Sequence, residues 1–416
     1  MDFLELERMA EDATLQLNRI FSASEASVSE KVRLAIETSV KEEQESPLEF
    51  GFADLLQVLR KHDASDLHLK EGSPPMVRIN GDLFNVGEHK LTPRECRELI
   101  FSICNRHQLE NLLKGKEVDI AYSEMGARFR INAFLQKSTY SASVRMIKTE
   151  IPTFRDLSLP PQAAELVGFR HGLVLVTGPA GSGKSTTLAA MVNEINNNQA
   201  KHIITIEDPI EYIHDSKKSL ISQREIGTDT LSFYAGLKYS LRQDPDVILI
   251  GEMRDPPTIF IAAQAAETGH LVLSTLHTPN AVQAINRILD VFSGDNQKQM
   301  RLLLASNLRG VISQRLLPRI DQEGRVPAVE IMMMTPTISS LILEEKVNDI
   351  HQYIYKGKSD GMQTLNQSLY MLHEKGIIDT GVALYNSDQP NELKLMIDGK
   401  HGTSYGADDG TLVSWI

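Results

Sequence analysis

An α/β fold in two parts is predicted from three features of the 416-residue sequence. Apolar runs at Leu173–Val176, Ile203–Ile206, Val247–Ile250 and Leu271–Leu273 alternate with helical patterns, as in a mainly parallel sheet covered by helices on both faces. A glycine-rich turn joins the first of these runs to a helical segment. Before residue 150, shorter alternating runs and helical spacings predict a smaller α+β domain.

Residues 1–50 read as an acidic helical leader and polar linker, with Leu4, Met9, Leu15, Leu17 and Ile20 at roughly helical spacing among charges. The small domain, residues 51–150, opens with Leu55, Leu56, Val58 and Leu59 on a helix and Asp66–Leu69 as a short alternating strand. A second strand follows at Met76–Ile79, closed by Asn80-Gly81 as a hairpin turn. Helical spacing covers Arg94–Leu113, and strands are expected around Glu117–Tyr122, Arg128–Phe134 and Ser141–Ile147. A Pro-bearing connector from Ile151 to Pro161 leads into the larger domain, 151–395, which ends in mainly helical patterns beyond Met332. Residues 396–416 read as a loose tail.

The turn after the first apolar run is Gly178-Pro179-Ala180-Gly181-Ser182-Gly183-Lys184-Ser185, a full match to the P-loop pattern between a strand and a helix that starts at Thr186. Glycines let successive backbone N–H groups turn toward phosphates, and the helix N-terminus adds positive potential at the same place. Lys184 is expected to reach the β/γ-phosphates of ATP, and Ser185 to ligate Mg²⁺.

A second catalytic strand, Asp246–Ile250, leads through Gly251 to Glu252. Gly251 stands where many P-loop enzymes carry a metal-binding Asp, so Glu252 is the candidate for polarising the attacking water. The metal then leans on Ser185, water and another carboxylate. Candidates for that carboxylate are Glu207, Asp208 and Glu211, at the end of the Ile203–Ile206 run. His270 and His277 flank the Leu271 strand and are candidate sensors of the γ-phosphate.

These motifs, in this order, resemble the type II/type IV secretion ATPase superfamily and, within it, the pilus retraction ATPases. The likeness runs from about Ala53 to Leu395 and includes Ala64–Leu69, Gly178–Thr187, Ile204–Glu211, Asp244–Asp255, Thr268–Thr278 and Gly361–Thr364. It implies a PAS-like N-terminal domain, a RecA-like P-loop ATPase domain and assembly as a homo-hexamer. It also implies functional roles for Glu211, Glu252, His270 and His277, and nucleotide-reaching arginines at Arg130 and Arg145. The partners it implies are an inner-membrane pilus platform and a paralogous retraction or assembly ATPase. The assembly branch carries a four-cysteine zinc insertion that Cys96 and Cys104 alone cannot supply, which favours retraction. The retraction branch's Ala-Ile-Arg-Asn-Leu-Ile-Arg-Glu motif corresponds to Thr337–Glu344, where both arginines are replaced, which keeps an accessory retraction role open.

Composition bounds the alternatives. With 43 basic against 55 acidic residues, a formal net charge of −12, the chain is not built for non-specific binding to nucleic acid or to an anionic membrane. A nucleic-acid translocase, the competing reading for a P-loop ring, also lacks the expected basic–aromatic stripe. The acidic start Met1-Asp2-Phe3-Leu4-Glu5, the lack of a run approaching ~20 apolar residues and the low cysteine usage predict a cytoplasmic protein. Attachment to the inner face of the membrane would then go through partner proteins, without insertion.

Overall fold

The computed structural model describes residues 50–399 apart from 63, 80, 126, 148 and 149. The expected leader, but for its last residue, and most of the expected tail lie outside the described residues. The chain divides into two compact units, one ending at Ile147 and one starting at Lys148.

In the first unit, β1 (Asp66–Leu69), β2 (Met76–Ile79), β3 (Asp82–Asn85), β4 (Val118–Glu124), β5 (Ala127–Gln136) and β6 (Thr139–Ile147) form one sheet in the order β3-β2-β1-β6-β5-β4. All its pairings are antiparallel. β5 alternates cleanly: Ala127, Phe129, Ile131 and Ala133 are buried, while Arg130 faces outward. The buried face packs with the helices Phe52–Lys61 and Pro93–Ser102, through Leu56, Leu59, Leu99 and Ile100. Where a single helical stretch was expected over Arg94–Leu113, there are two helices, Pro93–Ser102 and Arg106–Leu113. The break has a local cause: Asn105 caps the second helix, accepting from Gln108 N at 2.9 Å while its own N–H donates to the Gln108 side chain at 2.8 Å.

The second unit is built on β7 (Gly172–Thr177), β8 (His202–Glu207), β9 (Leu220–Glu225), β10 (Val247–Ile250), β11 (Leu271–Leu276), β12 (Leu308–Pro318) and β13 (Arg325–Met333). Their order is β13-β12-β7-β11-β10-β8-β9. All pairs are parallel except β12–β13, so the expected mainly parallel sheet is present. All residues of β7, β10 and β11 are buried, which is why Leu173–Val176, Val247–Ile250 and Leu271–Leu273 read as apolar without alternation.

Three strands were not expected. β12 interrupts its apolar run with Ser313, Gln314 and Arg315, and β13 contains Pro327 and Glu330. Proline is tolerated there because β13 is an edge strand. β9 is the opposite edge and is mostly half-buried. The helices Lys184–Asn198, Pro256–Glu267 and Gly294–Asn307 supply much of the apolar cover of this sheet. The last described helix, Pro390–Ile397, runs two residues past the expected end of the domain at 395.

Candidate functional site

β7 delivers the chain to Gly178, and the helix that follows begins at Lys184. Gly178 has φ +144°, and a Cβ there would meet the Gln314 carbonyl oxygen at 2.3 Å, so only glycine lets the turn close against β12. Gly183 caps the helix in the left-handed region, at φ +91°. Lys184 folds back over the loop: its Nζ donates to Gly178 O and Pro179 O, each at 2.9 Å. Burial lowers the pKa of this ammonium, and among the described residues no carboxylate is hydrogen-bonded to it. A buried cation held only by carbonyl oxygens, beside the buried and unpartnered Ser182 Oγ, fits a site that takes phosphate. Ser185 is exposed next to it, and Thr186 Oγ1 lies 3.0 Å from Tyr212 OH.

Glu252 stands just beyond β10. Its carboxylate is 3.2 Å from His277 Nε2 at the end of β11, and it pairs with Arg254. The ends of the two strands are tied together, since Thr275 Oγ1 donates to Gly251 O at 2.6 Å and Met253 N donates to Thr275 O at 3.3 Å. The His277 pKa is lowered by partial burial and by the charges of Lys184 and Arg254, which sets this imidazole in the field of the P-loop lysine. Glu252, His277, Arg254 and Lys184 therefore form one cluster at the C-terminal ends of parallel strands, where open α/β sheets bind ligands.

His270 is not part of that cluster. It precedes β11, and Gly172 at the start of β7 donates to its carbonyl at 3.0 Å. Its Nδ1 lies 2.9 Å from Ala265 O. A six-residue strand separates it from His277, about 20 Å of extended chain. The expectation that both histidines sense the γ-phosphate is corrected for His270 within one subunit: the two ends of one strand cannot reach the same phosphate.

The acidic residues after β8 differ among themselves. Glu207 accepts from Thr205 Oγ1 at 2.7 Å and from Gln223 Nε2 at 3.3 Å. Desolvation raises its pKa to about 7 against the pull of those bonds, so the carboxyl is partly protonated at neutral pH. Asp208 and Glu211 are exposed. In the other unit, Arg130 and Arg145 sit directly opposite each other on β5 and β6, both exposed. Arg145 Nε donates to Asp66 Oδ1 at 2.8 Å, and Arg130 Nε lies 3.8 Å from Asp119 Oδ1.

Three contributors were missed from sequence. Arg254 lies within Asp244–Asp255, where nothing in the local pattern marks it as a partner of Glu252. Ser313 and Gln314 lie on β12, one strand over from β7: Ser313 accepts from Thr177 Oγ1 at 2.9 Å, and Gln314 Nε2 donates to Ser182 O at 2.6 Å. The available signal was Ser313-Gln314-Arg315 interrupting an apolar stretch between Val311 and Leu317.

Comparison with known proteins bears on the family and the fold. The chain is 46% identical over 326 residues to the type IV pilus retraction ATPase PilT of Pseudomonas aeruginosa, covering 78% of this chain and 94% of that one. It is 40% identical over 358 residues to the type IV pilus ATPase PilU of the same organism, covering 86% and 93%. The crystal structure of the pilus retraction motor PilT with bound ADP superposes with a TM-score of 0.78 at 42% identity, covering 83% of this chain and 99% of that one. The family model described as type II/IV secretion system protein matches residues 41–374, and the chain belongs to that family.

Proposed function

We propose that this chain is a motor ATPase that hydrolyses ATP at the Gly178–Thr186 loop and uses the cycle to retract type IV pili. The observation that carries the chemistry is the carboxylate of Glu252, held 3.2 Å from His277 Nε2 in the field of the P-loop lysine. Lys184 exchanges its carbonyl partners for the β/γ-phosphates. Backbone N–H groups of Gly181, Ser182 and Gly183, with those of the helix start, bind the remaining phosphate oxygens. Mg²⁺, held by Ser185 with Glu207 or Asp208 as further oxygen donors, would neutralise charge on the phosphates. Glu252 takes the proton of the attacking water, while neutral His277, donating through Nε2, fixes the carboxylate's orientation.

Arg130 and Arg145 supply guanidinium charge to the transition state in a ring of six copies. Glu211, at the position of the family's acidic box, serves the same site. The pilus assignment rests on the similarity to PilT and PilU over nearly their whole length. The partner proposed for this motor, on the family resemblance, is a membrane-embedded pilus platform; among the described residues no helix is long and apolar enough to cross a membrane. Deleting the gene tests this: cells should extend pili and fail to retract them. Loss of pili altogether would indicate an assembly motor.

An accessory role beside a second retraction ATPase is favoured by one observation. In the helix Pro336–Leu343, the two positions that carry arginine in the retraction branch are Ser339, whose Oγ donates to Ala305 O at 2.8 Å, and exposed Leu343. Leu343→Arg fits without repacking, whereas Ser339→Arg must displace a packed side chain. Stronger retraction in the Leu343→Arg variant would support the accessory reading, and unchanged retraction would count against it.

A further inference from the structure

The P-loop is braced from a strand that lies 132 residues downstream in sequence. Gln314 on β12 is 2% exposed, and both ends of its amide are used. Nε2 donates to Ser182 O at 2.6 Å, and Oε1 accepts from Thr187 Oγ1 at 2.9 Å. Since a carbonyl oxygen can only accept, the amide has one orientation that satisfies both contacts. A Cβ on Gly178 would lie 2.3 Å from Gln314 O, and one on Gly183 would lie 3.1 Å from Gln314 Nε2. Strand and loop are therefore in contact on both sides of the turn.

In a trans peptide the C=O and the following N–H point in opposite directions. Fastening Ser182 O to Gln314 thus turns the Gly183 N–H away from β12, to the side left free for phosphate. We propose that Gln314 is a positioning residue that presets the Gly183 N–H to donate to the nucleotide's phosphates. This rests on the P-loop reading above. Without the strut the Ser182–Gly183 peptide is free to rotate, and each binding event must fix it anew. Thr187, one turn into the helix, holds the other end of the amide and keeps the strut aligned with the helix N-terminus.

The test uses the purified full chain with ADP titration and steady-state ATPase kinetics. Gln314→Met keeps the size of the side chain and removes its donor. It should weaken ADP binding by about tenfold and raise KM more than it lowers kcat, because a preset phosphate donor acts in the ground state as well as the transition state. Gln314→Glu adds a readout that a purely structural role would not move. As a carboxylate it cannot donate to Ser182 O, so binding relative to wild type should be weak at pH 8. Protonation restores a donor, so the deficit should shrink as pH falls toward 6. Wild-type ADP affinity in folded Gln314→Met overturns the proposal. If that variant does not fold, a Gln314→Glu deficit that stays constant with pH overturns it equally. Lys184→Ala serves as the reference: full ADP affinity there would remove the P-loop reading itself, whereas loss there with no effect at Gln314 removes only the strut.

Discussion

His277 Nε2 and Glu252 Oε2 are 3.2 Å apart although 25 residues separate them, because β10 and β11 are parallel neighbours whose ends are stitched by Thr275 and Met253. Two separate motifs thus become one acid–base pair. The carboxylate side chain is 13% exposed and the imidazole 55%, so the histidine forms the solvent-facing half.

Glu252→Gln keeps the shape of the carboxylate and removes its basicity. ATP should still bind, while turnover should fall by roughly 10²–10⁴-fold. Nucleotide titration and a phosphate-release assay check this, and near-normal hydrolysis would move water activation to Glu211 or elsewhere.

His277 has its pKa held below 6.5 by partial burial and by neighbouring positive charge, so it is neutral at pH 7. Acidification through that lowered pKa converts it to imidazolium, which pairs with Glu252 and makes the carboxylate a poorer base. ATPase activity should therefore show an acid limb below pH 6.5 to which His277 contributes. His277→Asn should lower kcat and weaken that limb; an unaltered pH profile would exclude His277 from the chemistry.

Much of this site was legible in the sequence because its signals are local. The spacing of Gly178, Gly183, Lys184 and Ser185 is a backbone requirement of phosphate binding, and Glu252 follows a short apolar run of the kind a buried parallel strand produces. His270 and His277 look equivalent in sequence, yet a strand has two ends and only one adjoins the loop. Gln314 and Glu330 were hidden for another reason. Each is a polar residue on a strand, buried because its partner is distant in the chain, so periodicity counts it as an interruption. Arg130 and Arg145 drew notice only through family resemblance, since cross-strand register is not written in either strand alone.

Glu330 yields a stability prediction. It is 3% exposed, accepts from Ala281 N at 2.8 Å, and burial raises its pKa to about 7 from 4.5. A carboxyl whose pKa is higher folded than unfolded makes folding costlier as pH rises between those two values, by on the order of 3 kcal/mol at the top of the window. Glu330→Gln keeps an oxygen for Ala281 and removes the titration. Thermal melts should find it more stable than wild type at pH 7.5, with the gain fading toward pH 5. A gain independent of pH would contradict the assignment.

Arg130→Ala and Arg145→Ala should each reduce turnover by about tenfold or more while leaving ADP affinity nearly intact, since guanidinium charge acts on the transition state. Native mass measurement should find hexamers in the presence of nucleotide. A monomer with full activity, or unchanged turnover in both variants, would exclude the arginines from the reaction.

The central claim, that ATP hydrolysis at Lys184 drives pilus retraction, is tested most directly by imaging labelled pili in cells whose own copy carries Lys184→Ala. Loss or marked slowing of retraction, with extension preserved, is the predicted result. Retraction at the wild-type rate and frequency would contradict it.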